Sequence, residues 1–184
     1  MKKTLCLWLV SLTILSFVSC DKKQGEASFD GPSVYFISAR LNWQDVETRT
    51  SEPECHRLDF GLGYRQYLNN KPGVCHIFIG EVAKYDKAAI LALKGKNLSF
   101  GLNKDQVRIT WSEDGSFSMC EMPATGDSFF LVEDVIPAGY TDDGVLKFAL
   151  VGSFQCSMIE SFTGKWLPMI NGRYTIMMAE SLPL

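Results

Sequence analysis

Residues 145–178 read VLKFALVGSFQCSMIESFTGKWLPMINGRYTIMM and carry the clearest strand pattern of the chain. Apolar residues keep one phase of a two-residue alternation in each half of it: Leu146, Phe148, Leu150 and Phe154, then Tyr174, Ile176 and Met178. Such alternation is typical of strands that bury one face. The dipeptide Asn171-Gly172 is the strongest short hairpin signal, so it predicts the turn that leads into the last strand.

The same alternation extends through the rest of the chain. Residues 34–41 predict a strand with Tyr35, Ile37, Ala39 and Leu41 on one face. Turn-forming residues separate the other runs, and two hairpins are predicted: residues 60–68 with 74–79, and residues 107–111 with 117–119. The predicted fold class is therefore mainly β, a single antiparallel β-sandwich or barrel-like domain.

One segment departs from the alternation. Residues 85–93 (YDKAAILAL) are rich in Ala and Leu, Asp86 is a suitable N-cap, and Gly95 is a suitable stop. The sequence therefore predicts one short helix at about residues 85–94.

The N-terminal residues predict export. Lys2 and Lys3 precede an apolar run over residues 5–18, which is shorter than the roughly 20 residues that span a bilayer. Residues 1–19 are therefore a predicted signal peptide. Residues 20–32 are small and polar and predict a tether, and residues 33–184 form a single predicted β-rich domain, large enough for a core of its own.

Two stretches resemble known families. Phe17-Val18-Ser19-Cys20 resembles the lipobox of bacterial lipoproteins, which implies that Cys20 is acylated and anchors the mature protein to a membrane. Residues 145–154 and 171–176 resemble the closing hairpin of small β-rich lipoproteins of the Bacteroidetes type, a group of unknown function. The resemblance implies a location in the cell envelope, at the outer membrane, and leaves the periplasmic or surface face open.

The charge of the chain limits its partners. Its 18 basic and 21 acidic residues give a net charge of −3, which becomes −5 once Lys2 and Lys3 leave with the signal peptide. A mildly acidic chain without a basic cluster argues against a nucleic-acid partner. The expected partners are the membrane, through the acyl anchor, and a glycan or protein ligand.

Four cysteines remain once Cys20 is assigned to the lipid. An even number in an exported protein permits two disulfides, and three connectivities are open. The similar segments that end at Cys120 and Cys156 favour a bridge between those two residues, with Cys55 and Cys75 as the second pair. Four buried thiols are the alternative.

Residues suited to catalysis or metal binding do not form a recognisable set. Cys55-His56 and Cys75-His76 contain both histidines of the chain, but adjacent side chains on a strand point to opposite faces, and the spacing is unlike that of structural zinc sites. The carboxylates that could serve a glycosidase select no pair: Glu81, Glu113, Asp114, Glu133 and Asp134. We therefore expect no metal, no cofactor and no catalytic residues.

Aromatic residues are the remaining candidates for ligand contacts. Trp111 keeps the phase of Val107 and Ile109 and is expected in the core. Trp43 follows the end of a predicted strand, and Tyr140 and Trp166 fall in predicted loops, where binding residues concentrate. The flat rings of all three stack on sugars or apolar ligands. The leading hypothesis is a non-enzymatic envelope lipoprotein that binds a ligand or partner. A structural or assembly subunit is the alternative, and a hydrolase comes third.

The lipid anchor can be tested at its one essential residue. We expect Cys20→Ala to accumulate as unprocessed or soluble precursor, because the variant lacks the thiol that carries the acyl chains. Fractionation of cells into membrane and soluble material measures this. Normal membrane retention of the variant would contradict the anchor.

Overall fold

Strands dominate the computed structural model, which describes residues 31–180 apart from 51–53, 59–60, 68–73, 81–84, 102, 104, 114–115 and 121–125. The described strands are β1 (Tyr35–Leu41), β2 (Gln44–Thr50), β3 (Glu54–Leu58), β4 (Gly61–Tyr67), β5 (Val74–Ile79), β6 (Asn97–Phe100), β7 (Gln106–Glu113), β8 (Ser116–Cys120), β9 (Phe129–Tyr140), β10 (Leu146–Glu160) and β11 (Trp166–Ala179). The helix described, α1, spans Lys87–Leu91. The prediction of a mainly β domain with one short helix is confirmed.

The described strands form one coiled sheet in the order β2-β1-β11-β10-β9-β6-β7-β5-β4-β3, and β8 pairs with β7 and β10 off this path. Neighbouring strands run antiparallel except β6 and β7, which are parallel over two residue pairs. The sheet coils until β11 approaches β3 and β4. Within the described residues it is not closed into a barrel, and β2 and β3 are its edges.

The predicted first strand and two of the predicted hairpins match the structure. Four alternate side chains of β1 are buried, at Tyr35, Ile37, Ala39 and Leu41. Both predicted hairpins are present as β4 with β5 and β7 with β8, although the turn at residues 69–73 lies outside the described residues. The regular spacing of apolar residues was therefore sufficient to locate these strands.

The helix is shorter than predicted. It begins at Lys87 and ends at Leu91, and the side chain of Asp86 accepts a hydrogen bond from the backbone of Ala89 at 2.8 Å. The predicted N-cap is thus confirmed. Gly95 follows four residues after the helix, where it adopts φ +76 and donates its N–H to the carbonyl of Val132 at 2.7 Å. It joins the helix segment to β9 rather than directly ending the helix.

A buried tyrosine connects the segment before the helix to the sheet. The hydroxyl of Tyr85 donates to the carboxylate of Asp105 at 3.1 Å and accepts from the backbone N–H of the same residue at 3.0 Å. Burial raises the pKa of Tyr85 to about 12, so the phenol stays protonated and keeps its donor. Gly80 makes room, because a Cβ there would lie 2.3 Å from the Tyr85 hydroxyl oxygen.

The predicted hairpin turn at Asn171-Gly172 is wrong. The chain reverses between β10 and β11 at residues 161–165, and Asn171 lies inside β11 with φ +54. Pairing shifts there on both neighbouring strands, so Asn171 occupies a β-bulge. A bulge and a tight turn both favour a residue that tolerates positive φ, and the local sequence does not distinguish them. Because β11 pairs with β10 on both sides of Asn171, this residue lies in a bulge within the strand and not in a turn.

Three aromatic rings on neighbouring strands form the centre of the core. The rings of Phe130 on β9 and Tyr174 on β11 stack with centroids 4.5 Å apart, and the ring of Phe154 on β10 lies 6.3 Å from that of Tyr174. All three residues are fully buried. Stacked rings at these distances stabilise a core beyond the area they bury, so these strands share one aromatic cluster.

The polar atom of Tyr174 is satisfied by a hydrogen bond across the sheet. Its hydroxyl donates to the backbone carbonyl of Leu131 at 2.9 Å. The hydroxyl reaches that carbonyl by passing over Gly152, where a Cβ would lie 2.0 Å from the carbonyl oxygen and 2.6 Å from the hydroxyl oxygen. Any side chain at residue 152 would therefore displace either the strand or the tyrosine.

The glycine at 152 can be tested by substitution. We expect Gly152→Ala to lower the free energy of unfolding by about 3 kcal/mol or more, since it combines overpacking against backbone with the loss of a buried hydrogen bond. Urea denaturation followed by circular dichroism measures the change.

Gly126→Ala is the matched control, because a Cβ at Gly126 meets nothing within 4 Å although its φ is +68. Backbone strain alone should cost that variant about 1–2 kcal/mol. Equal destabilisation of the two variants would show that the contact at Gly152 is unimportant.

Candidate functional site

Three exposed aromatic residues lie together at one end of the sheet. Trp43, Phe162 and Trp166 have 72%, 81% and 51% of their surface exposed. Trp43 belongs to the turn between β1 and β2, and Phe162 to the turn between β10 and β11, which leads into Trp166. We call these three residues the aromatic tip.

Backbone pairing brings the two turns together. The N–H of Asn42, next to Trp43, donates to the carbonyl of Pro168 on β11 at 2.9 Å. On the other side of β11, Trp166 is paired with Ile159 of β10. Trp43 and Trp166 therefore lie within a few residues of one another across the β1–β11 pair, although 123 positions separate their residue numbers.

The turn that carries Trp43 is strained. Leu41 and Gln44 are paired, so Asn42 and Trp43 form a two-residue hairpin loop, and both have positive φ, at +47 and +69. Positive φ at both central residues defines a type I′ turn, in which the second residue is usually glycine. A tryptophan at this position is a conformational outlier that stores strain. Strain of this kind is concentrated at functional sites, which makes Trp43 a candidate contact residue.

An apolar strip extends from Trp166 along the outer face of the sheet. Leu167 and Met169 of β11 pack into the core, so the alternate residues Trp166, Pro168 and Ile170 face outward. Ile159 lies beside Trp166 on the neighbouring strand and faces the same way. We call Ile159, Trp166, Pro168 and Ile170 the platform.

An exposed ion pair flanks the platform. Arg40 on β1 is paired with Ile170 on one side and with Asp45 of β2 on the other. Its Nε lies 2.8 Å from Asp45 Oδ1, and its Nη2 lies 3.5 Å from Oδ2. The hydrogen bond from Arg40, followed by its charge, lowers the pKa of the Asp45 carboxyl. Hydrogen-bond donors and acceptors therefore stand side by side next to the aromatic residues.

The structure separates the third predicted contact residue from the other two. Tyr140 is 56% exposed, but it is paired with Leu146 at the start of β10, whereas Trp166 is paired with Ile159 near its end. Thirteen residues of β10 separate these positions, or about 44 Å along the strand at about 3.4 Å per residue. We call the end of the sheet around Tyr140 the base.

The described chain also begins at the base. A Cβ on Gly31 would lie 3.0 Å from the Cα of Ala138, two residues before Tyr140. A second, smaller cluster of buried residues, Tyr35, Ala149 and Met177, has Ile136 and Ala138 packed against it and lies near this point. The N-terminal side of the chain therefore joins the domain at the end opposite the aromatic tip.

Phe162 was not predicted as a contact residue, although it is the most exposed of the three. The sequence pattern that could have identified it is an aromatic residue within the polar turn Ser161-Phe162-Thr163-Gly164. Turn chemistry explains Gly164, which adopts φ +65, but it provides no reason for a phenylalanine. The expectation that Trp111 is a core residue is confirmed, since it is buried.

The predicted disulfides are not formed. Cys75 and Cys156 are both buried thiols outside any disulfide, and burial raises the pKa of the Cys75 thiol. Cys55 and Cys75 cannot pair because β4 lies between β3 and β5. Two strand spacings amount to about 9.6 Å, beyond the roughly 7 Å that a disulfide spans. Cys120 lies opposite Met158 rather than Cys156.

Several candidates of the sequence analysis lie outside the described residues. These are Cys20, Glu81, Asp114 and the side chains of Cys55, His56, His76, Glu113 and Cys120. Of the described carboxylates, Glu133 accepts hydrogen bonds from Ser153 and Arg173, each at 2.8 Å, and Asp134 lies 2.7 Å from the Lys94 ammonium. Each is held by partners on neighbouring elements at the surface.

Comparisons with known proteins give no indication of function for this chain. The chain matches no protein-family model, no curated protein and no solved structure. In the described part of the chain, no group of three or more His, Cys, Asp or Glu side chains could hold a metal ion. No helix among those residues has the length and hydropathy to cross a membrane.

The strain at Trp43 can be measured with two substitutions. We expect Trp43→Gly to unfold with a free energy about 1 kcal/mol higher than Trp43→Ala, because alanine retains the Cβ penalty at φ +69 and glycine does not. Chemical denaturation followed by circular dichroism compares them. Equal stabilities would mean that the turn relaxes and holds no strain.

Proposed function

We propose that the protein is a non-enzymatic lipoprotein of the bacterial cell envelope whose β domain binds a ligand or partner through the aromatic tip. The observation that carries the proposal is the grouping of Trp43, Phe162 and Trp166 at one end of the sheet, each more than half exposed. Isolated exposed apolar residues are ordinary on protein surfaces, but contiguous ones mark interaction sites.

The proposed lipid anchor and the proposed binding site would lie at opposite ends of the domain. Acylated Cys20 would hold the membrane end of the tether, and the tether meets the domain at the base, where Gly31 contacts Ala138. Eleven residues beyond Cys20 reach at most about 40 Å at full extension. Because the tether enters at the base, the base would lie nearer the anchor along the chain than the tip, which is about 44 Å farther along β10.

The outer membrane is the proposed location, and the periplasm and the cell surface remain the two possible faces. Protease treatment of intact cells separates them, with a periplasmic protein as the control. Cleavage of the domain while the control survives would place the tip outside the cell. Protection until the outer membrane is opened would place the tip in the periplasm.

The alternative role, a subunit joined through an exposed strand edge, has less support. The edge strand β2 carries exposed Asp45, Glu47 and Arg49, and Arg49 pairs with Glu47. Charged residues along an edge oppose pairing with another strand. The described features of β2 therefore favour the tip over this edge as the contact surface.

Retention on envelope fractions tests the proposal. Full-length lipidated protein in detergent is applied to separated peptidoglycan, polysaccharide, lipid and protein fractions. We expect one fraction to retain the wild type and the triple variant Trp43→Ala, Phe162→Ala, Trp166→Ala to bind it more than about tenfold more weakly, as expected when buried aromatic anchors are removed.

Tyr140→Ala is the control, since it removes an aromatic side chain at the base that is 56% exposed. It should bind like the wild type. Equal binding by the triple variant, or retention of the wild type by none of the fractions, would overturn the proposed function.

A further inference from the structure

We infer that the aromatic tip and the platform bind a polysaccharide, with the sugar rings on the aromatic side chains and the hydroxyls on the Arg40–Asp45 pair. This inference rests on the proposed function and names its ligand class. It depends on two features that lie side by side: exposed flat rings, and an exposed donor–acceptor pair in register with them.

The chemistry of a sugar matches both features. The C–H face of a pyranose ring is apolar and flat, so it can cover an indole ring and exclude water from it. Each hydroxyl is both a donor and an acceptor. The Arg40 guanidinium only donates and the Asp45 carboxylate only accepts, and their closest atoms are 2.8 Å apart. Neighbouring hydroxyls of one sugar could use both groups.

The position of the ion pair connects it to the aromatic residues. Arg40 is paired with Ile170, two residues along β11 from Pro168 and four from Trp166 on the same outer face. Asp45 follows Trp43 by two residues on β2. A ligand that covers Trp43 or Trp166 and continues over the platform therefore reaches the Arg40–Asp45 pair.

The exposure of the rings favours a polymer over a small enclosed ligand. Trp43, Phe162 and Trp166 are exposed by 51–81%, so more than half of the surface of each residue is open to solvent. Enclosed small-molecule sites bury most of the ligand. Rings this exposed can contact one side of an extended chain, and several weak contacts along such a chain add together.

A lipid bilayer fits the same surface less well. Insertion would bury the Arg40–Asp45 pair, and removal of paired charges from water carries a desolvation cost. The charges around the tip are balanced, with Arg40 and Lys165 against Asp45 and Glu160, so an anionic membrane surface gains little attraction. A sugar polymer leaves this rim in water.

Binding to defined polysaccharides tests the inference. The wild-type protein is sedimented with insoluble peptidoglycan, cellulose, chitin and mannan, and with vesicles of neutral and of anionic phospholipid. We expect sedimentation with at least one polysaccharide and not with vesicles. Trp166→Ala and Trp43→Ala should each weaken it about tenfold, the equivalent of one stacking contact.

The ion pair has its own matched control. Asp45→Asn removes the negative charge beside the platform, and Glu47→Gln does the same at the other exposed pair of β2, with Arg49. We expect Asp45→Asn to bind the polysaccharide several-fold more weakly than the wild type. Glu47→Gln should bind it as strongly as the wild type. Equal effects of the two variants would overturn the assigned role of the Arg40–Asp45 pair.

The outcomes separate the inference from the proposed function. Tip-dependent binding to vesicles or to a protein fraction, with no polysaccharide bound, would overturn the saccharide class and leave the tip as a binding site. Polysaccharide binding that survives in both tryptophan variants would overturn the inferred site. Failure of the triple tip variant to weaken any retention would overturn both proposals.

Discussion

The hydrogen bond from the Tyr174 hydroxyl to the Leu131 carbonyl, made over Gly152, is the contact on which the arrangement of β9, β10 and β11 depends. It joins the outer strands of this group across the middle one, at the place where the ladder between β9 and β10 shifts register. Stacking of Phe130 on Tyr174 holds the ring in place. Since a one-residue slip in a sheet moves every side chain to the other face, this contact holds the register that, together with the bulge at Asn171, decides which residues of β11 reach solvent.

That register has a direct consequence at the far end of β11. With Tyr174 inward and a bulge at Asn171, the residues before the bulge present Leu167 and Met169 to the core and Trp166 to the outside. The platform is therefore a result of core packing some distance away. Trp43 differs, because no core contact requires it and its turn would be less strained with glycine. A position held against local conformational preference is better explained by function than by folding.

The alternation of apolar residues was sufficient to predict the strands at Tyr35–Leu41 and Val74–Ile79 and the core role of Trp111, since burial of one face acts on each strand separately. Features that depend on strand order were not predictable. The predicted Cys55–Cys75 bridge fails because β4 lies between β3 and β5. The bulge at Asn171 could be told from a turn only by knowing how far β10 and β11 pair. Trp43 is exposed in its turn, whereas Trp166 and Tyr140, which were expected in loops, are exposed at the ends of the strands β11 and β9. The proximity of Trp43 to Trp166, and the distance of Tyr140 from both, arise only from the β1–β11 and β9–β10 pairings.

The length of the β10–β11 hairpin sets the distance between the base and the aromatic tip. Because the fifteen residues of β10 run from the base to the turn that contains Phe162, Gly31 meets the domain near one end of this strand and the aromatic tip lies at the other. In the proposed role, a shorter hairpin would place the tip nearer the anchoring bilayer and leave less room there for a polymeric ligand. The long hairpin, the buried aromatic cluster that maintains its register and the charged rim around the tip would then serve one requirement: exposed aromatic side chains held away from the membrane that anchors them.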